Sequence, residues 1–285
     1  MSALLSTLLV LCGETPVPVN TATLQAEFEG VKIELFTYKP ESYTDGPLIM
    51  VFHGVLRNAE EYRDHAKQMG DRYRALIVAP RFPEQEFPIV KYQQGGLLID
   101  GKATPRASWT WSFVPKIAAE IRQREGRPQM PYYLIGHSGG GQFLVRLAGF
   151  LPNAASRIVV ANPGTHLFPT TGLPYPWGFG GLPEELCTDE TLQRYLAQPL
   201  TIYLGQNDTE RDEYFDVTPS AEKQGMTRYQ RGQNAFRAAA ELARRREWKF
   251  NWRLVEVTGV GHDHQAMFNH AQCDLALFGA PQPQP

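Results

Sequence analysis

Tyr132-Tyr133-Leu134-Ile135-Gly136-His137-Ser138-Gly139-Gly140, continued by Gly141-Gln142-Phe143-Leu144-Val145-Arg146-Leu147, is the stretch on which the reading of this chain turns. Its apolar start predicts a short buried strand, Gln142 to Leu147 carry helical spacing, and the glycines between them allow only a tight turn. Such a turn holds its central residue, Ser138, in a strained backbone conformation, while Gly136 and Gly140 let the neighbouring chain pass close by. The helix start behind Ser138 aims backbone N–H groups and the positive end of its dipole at developing negative charge. This is the context of a nucleophile elbow. The competing reading is a glycine-rich turn carrying an inert serine.

On both sides of this turn, from Ala22 onward, short β-rich runs alternate with segments of helical period, the pattern of an α/β sheet covered by helices on both faces. Thr23 to Phe28 and Lys32 to Thr37 alternate apolar with polar residues around Gly30 and predict an antiparallel pair of edge strands. Leu48 to Phe52, Leu76 to Ala79, Tyr132 to Ile135, Ile158 to Val160, Leu200 to Leu204 and Trp252 to Val257 are mostly continuous apolar runs, as parallel strands buried on both faces require. Eight strands result. Helices are expected at Ala59 to Tyr73, Phe113 to Glu125, Gly140 to Phe150, Thr188 to Ala197, Thr227 to Arg246 and His264 to Phe278. Two stretches rich in Pro, Gly and aromatics, 81–108 and 163–183, break the rhythm at the carboxyl ends of strands, where an open α/β sheet binds its ligand. They are the expected cleft walls.

The 285 residues carry 28 Lys and Arg against 30 Asp and Glu, a net charge of −2 that offers a polyanion no basic footprint and argues against nucleic acid as a partner. Arg244-Arg245-Arg246 reads as a solvated helix end. Cys12, Cys187 and Cys273 are too few and too scattered for a disulfide scaffold or a zinc site, and leave a Cys187–Cys273 bridge and two free thiols both open. Ala3 to Leu11 is an apolar run of signal-peptide length, too short to span a bilayer. It lacks a preceding Lys or Arg, and Leu9-Val10-Leu11-Cys12-Gly13 loosely matches a lipoprotein cleavage site. Export is slightly favoured over a packed N-terminal segment, with no stable membrane insertion; the oligomeric state stays open.

From about Ala22 to Phe278 the chain resembles the α/β-hydrolase family. The resemblance implies one domain over 22–278, a leader-like segment over 1–21 and a Pro/Gln tail over 279–285. Three further motifs fall in the family's order. Phe52-His53-Gly54-Val55 ends the third strand, where the family places an oxyanion donor, so the N–H groups of Val55 and Gly139 are the expected oxyanion hole. His53 is expected to brace that loop rather than act as a base. Gly205-Gln206-Asn207-Asp208 follows the seventh strand, the family's usual acid position; Asp212 and Asp216 are the alternatives, and Ala161-Asn162-Pro163 offers no carboxylate after the sixth. Gly259-Val260-Gly261-His262-Asp263 follows the last strand and supplies the base, with its second ring nitrogen donating to the acid.

The resemblance therefore implies a serine esterase with Ser138 as nucleophile, His262 as general base and Asp208 as orienting acid, acting without cofactor or metal. Its alternatives are a serine peptidase on the same fold and an inactive hydrolase-fold binding protein. His53-Gly54, Asn58-Ala59-Glu60-Glu61-Tyr62 and the Trp pair before the elbow are similar to polyhydroxybutyrate-depolymerase-like and feruloyl-esterase-like members, although Gly-His-Ser-Gly-Gly is the lipase-like form of the elbow. Trp109 and Trp111, Trp177, His137 and His166 are the candidate contacts to a small or oligomeric ester substrate, with core packing the competing reading of Trp109 and Trp111. His264 and His270 are assigned to the closing helix, not to a metal cluster.

Overall fold

The computed structural model describes residues 15–279. The Ala3 to Leu11 run, Cys12 and residues 280–285 lie outside the described residues. Eight strands form one sheet: β1 (Asn20–Phe28), β2 (Val31–Lys39), β3 (Leu48–Phe52), β4 (Leu76–Pro80), β5 (Tyr132–His137), β6 (Arg157–Ala161), β7 (Leu200–Gly205) and β8 (Arg253–Val257). Their spatial order is β1-β2-β4-β3-β5-β6-β7-β8. β1 and β2 pair antiparallel from Asn20↔Lys39 to Phe28↔Val31 around a two-residue turn, Glu29 (φ 54°) and Gly30 (φ 83°). Both φ values are positive, as the twist of a tight hairpin demands. Only β1 is an edge strand of this pair; β2 is also hydrogen-bonded to β4, antiparallel. This corrects the expectation of two edge strands.

From β4 to β8 every pairing is parallel. The continuous apolar runs are explained by burial on both faces, because a period-two backbone sends alternate residues to opposite sides. Leu48, Met50 and Phe52 join one core cluster, whereas Ile49 and Val51 join the other. Helices α1 (Ala59–His65), α2 (Lys67–Tyr73), α3 (Phe113–Arg124), α4 (Gly139–Phe150), α5 (Asp189–Leu196), α6 (Pro219–Glu222), α7 (Arg228–Arg246), α8 (His264–Asn269) and α9 (Cys273–Phe278) connect and cover the sheet.

Two helices expected to be continuous are each split. At Ala66 the N–H is shared between Tyr62 O (3.1 Å) and Arg63 O (3.2 Å), which tightens the turn and redirects α2. Gly70 of α2 then lies so close to the sheet that a Cβ would stand 3.0 Å from Ile77 and 3.1 Å from Tyr38. The closing segment breaks at His270, where ψ of 146° leaves the helical region and Nδ1 accepts the Gln272 N–H at 3.1 Å. Cys187 and Cys273 are both free. Cys187 donates to Phe179 O at 3.0 Å while Cys273 is buried 4.0 Å from the Met69 sulfur, so the bridged alternative is not realised. Among the described residues no helix is long and apolar enough to cross a membrane.

Candidate active site

Ser138 sits between β5 and α4 at φ 55° and ψ −119°. For a residue with a Cβ this is a strained conformation, and the surroundings enforce it. A Cβ on Gly140 would lie 2.1 Å from Phe52 O, and one on Gly136 2.5 Å from the Gly140 carbonyl carbon. The Ser138 N–H is tied to Ala161 O of β6 at 3.0 Å. Gly139 opens α4, so its N–H has no partner within the helix. A Cβ built on Gly139 would stand 3.2 Å from Val55 N, which puts the loop after β3 against the start of α4.

Asp208 lies on the turn after β7 and is 1% exposed. His262 Nδ1 is 2.7 Å from Asp208 Oδ2. With Nδ1 donating to the carboxylate, Nε2 is left as the acceptor, a tautomer assigned from its partner. His262 and Ser138 line one cavity of about 280 Å³, with Val55, Tyr62, His137 and His264 among its other walls. The Ser138 hydroxyl makes no hydrogen bond to His262 here; such contacts commonly tighten only once substrate is bound. The loops carrying Asp208 and His262 interlock. Asn207 N–H donates to Val260 O at 2.9 Å, and a Cβ on Gly205 would meet Val260 O at 2.4 Å.

Two residues given no role in the sequence reading, Asn162 and Arg228, hold this pair or its loops, and Tyr62 packs against the other histidines of the cavity. Asn162 (φ 43°), at the end of β6, donates through Nδ2 to Gly261 O at 2.9 Å and accepts the Gly205 N–H at 2.8 Å, joining the loops that carry His262 and Asp208 in one side chain. Its place directly after an apolar strand was the only available signal. Arg228, 1% exposed on α7, stands 3.7 Å from Asp208 Oδ1 and 2.7 Å from Asp212 Oδ1. Asp212 and Asp216, the alternative acids, are engaged elsewhere, with Arg228 and with the Trp177 indole N–H at 3.1 Å. Tyr62 stacks on His264 at 4.0 Å between centroids and reaches His137 Nδ1 at 3.4 Å.

The remaining histidines separate by environment. His137 is 2% exposed, 4.5 Å from His262 between ring centroids, and burial above all holds its pKa well below the ordinary value; its Nε2 has no partner. His53 accepts the Phe82 N–H at Nε2 (3.1 Å), faces Gly54 O with Nδ1 (2.9 Å) and stacks on Tyr92, and burial lowers its pKa to about 3. Both ring nitrogens are thus used in bracing the loop. His264 does not cluster with His262 and Asp263: its Nε2 is 2.8 Å from His65 Nδ1, and Glu61, His65 and His264 offer donor atoms within 4.8 Å of one another, the one set among the described residues that could hold a metal ion.

Trp109 and Trp111 do not reach the cavity. They are 3% and 0% exposed, their indole N–H groups donate to Thr104 O and Phe143 O, and Trp111 stacks on Phe150, so the core reading holds for both. His166 is likewise fully buried, its backbone N–H and carbonyl bonded to the Gln224 side chain at 2.9 and 2.6 Å, and it lines neither cavity at this end of the sheet. Trp177 is half-buried and lines a second cavity beside the first.

No protein-family model matches the chain, and no curated protein matches it. Solved structures do. The poly(3-hydroxybutyrate) depolymerase of Bordetella parapertussis is 34% identical, covers 93% of this chain and 92% of its own, and superposes with a TM-score of 0.85. Poly(aspartic acid) hydrolase-1 of Sphingomonas sp. KT-1 is 28% identical over 91% of this chain and 98% of its own, with a TM-score of 0.83. An Aspergillus nidulans siderophore hydrolase, 14% identical over 98% and 99% of the two chains at a TM-score of 0.53, shares the fold. Taken with the eight-stranded sheet, these likenesses show that the chain belongs to the α/β-hydrolase family and support hydrolase activity.

Proposed function

We propose that this protein hydrolyses carboxylic esters through an acyl-enzyme on Ser138. The observation that carries the reading is the 2.7 Å Asp208–His262 contact opening on the cavity that also holds the strained Ser138. In the first step His262 Nε2 takes the Ser138 proton as Oγ attacks the ester carbonyl, and Asp208 holds the imidazole in the required tautomer and balances the imidazolium that forms. The carbonyl oxygen, now an oxyanion, is placed for the N–H groups of Val55 and Gly139, where each donor contributes roughly 3 kcal/mol to transition-state stabilisation. His262 then returns the proton to the leaving alcohol. Water, deprotonated by the same ring, releases the acid and restores Ser138.

His137 stays neutral beside His262 because burial disfavours its charged form, so it forms a wall that does not compete for the proton. The likeness to a depolymerase of poly(3-hydroxybutyrate) supports short hydroxyacid esters as substrates of this chain. Poly(aspartic acid) hydrolase-1 supports a second reading, amide hydrolysis by the same three residues.

A fluorophosphonate should label Ser138 stoichiometrically in the native protein, and nitrophenyl esters and hydroxybutyrate oligomers should be turned over faster than matched amides. Absence of the adduct favours a binding protein that has lost catalysis. Faster amide turnover favours the second reading.

A further inference from the structure

Val55 and Leu56 separate the Ser138 cavity from a larger one of about 640 Å³, whose lining includes Arg57, Gln93, Arg146 and Trp177. Two guanidiniums in this lining are buried, Arg57 at 8% and Arg146 at 1% exposed. Neither forms an ion pair with a carboxylate among the described residues. Arg146 is satisfied by neutral acceptors: Pro176 O, Gln142 O and Thr165 Oγ1 lie at 3.1, 3.0 and 2.9 Å. Arg57 is not. It donates from Nη2 to Phe87 O at 2.9 Å and lies 4.4 Å over the Tyr92 ring, but its Nε and Nη1 have no partner, and neither does Gln93 Oε1 close by.

A buried charge without a counter-charge is costly, and folds normally avoid one. Here the backbone is strained as well, since Arg57 is held at φ 60°. Both penalties fall two residues beyond the oxyanion donor Val55. Three carboxylates also line the cavity, and none comes within ion-pair distance of either guanidinium: Glu84, whose charge acts on Arg57 from further off, and Glu213 are exposed, while Asp216, whose charge acts on Arg146, accepts the Trp177 indole N–H and the Thr218 N–H. An Arg guanidinium stays protonated at neutral pH and presents a fork of donors suited to a carboxylate.

We propose that the second cavity is an anion subsite in which Arg57, in the positive field of Arg146, receives a carboxylate carried by the ester substrate. The preferred substrates are then esters that bear a free carboxylate on the same short chain as the bond cleaved, because the two cavities adjoin and share Val55 and Leu56 as their common wall. Trp177 supplies apolar surface for the carbons between. This inference rests on the esterase reading of Ser138.

The test compares substrates that differ only in methylation of the distal carboxylate: mono-4-nitrophenyl glutarate against its methyl ester, and 3-acetoxybutyrate against methyl 3-acetoxybutyrate. The wild type should prefer the free acid in at least one pair by about tenfold to a hundredfold in kcat/KM, the range expected for a charge-assisted contact. Arg57→Gln should remove that preference and Arg57→Lys restore part of it, with phosphonate labelling of Ser138 reporting that each variant is folded. If both variants fail to fold, glutarate should still inhibit the wild type competitively and the neutral diamide glutaramide should not. Equal rates within both pairs, or a preference that survives in a folded Arg57→Gln, overturn the subsite. A wild type that takes no phosphonate and turns over no ester overturns the esterase reading beneath it.

Discussion

Arg228 and Arg57 are both buried arginines near the carboxyl ends of the strands, one behind the Ser138 cavity and the other in the wall of the cavity beside it. Arg228 meets two carboxylates, Asp208 and Asp212. Arg57 meets none, and two of its nitrogens have no partner at all. The first charge is balanced within the chain and holds Asp208 in place. The second is left to a group the chain does not contain. Burial of charge is therefore not one phenomenon in this molecule: in one region it secures the architecture, and in the other it creates affinity at the expense of stability.

Variants at Ser138 and Asp208 test the first region most severely. Ser138→Ala should lower turnover of a nitrophenyl ester by about 10⁴-fold or more with an unchanged urea midpoint, and Asp208→Asn should lower it by about 10³- to 10⁴-fold. Arg228→Met leaves the buried Asp208 carboxylate without its cation and should cost about 3–5 kcal/mol of stability in urea unfolding; parental stability would show that Arg228 does not balance it.

An intermediate effect is expected from pH. His53 and His166 are both held to about 3, chiefly by burial, against an ordinary value of 6.5. Between those values the unfolded chain binds protons that the folded state refuses. Their stability contribution is complete above about pH 6.5 and is lost as pH falls toward 3, on the order of 2 kcal/mol for each at pH 5. His166→Leu should flatten this slope, and an unfolding midpoint that does not move between pH 7.5 and 5 contradicts the assignment. The smallest effect sharpens the contrast most: Arg57→Met should leave stability equal or raise it by about 1 kcal/mol. A loss as large as that of Arg228→Met would make Arg57 structural too.

The strands were legible because a sheet buried on both faces needs nearly unbroken apolar runs, and Leu48 to Phe52 or Leu200 to Leu204 can do little else. The elbow was legible for a related reason, since only glycine fits at Gly136 and Gly140. The helix breaks were not. Neither Ala66 nor His270 carries a helix-breaking signature, and the breaks come from fitting α2 to the sheet and from a histidine side chain capping its successor. Trp109 and Trp111 show the limit of spacing, which places two rings near each other without saying whether they meet ligand or core. Arg57, Asn162 and Arg228 were invisible for a deeper reason: their roles depend on partners or vacancies contributed by segments distant in sequence.

The approach of Gly140 to Phe52 O sets a boundary for anyone wishing to redesign this enzyme. Because the turn at Ser138 and the loop after β3 are locked against each other by backbone, with no side chain to trim between them, neither can be shifted without carrying the other along. Altered selectivity has to come from the outer shell around Trp177 and Tyr214, where residues can be exchanged while the reacting groups keep their alignment.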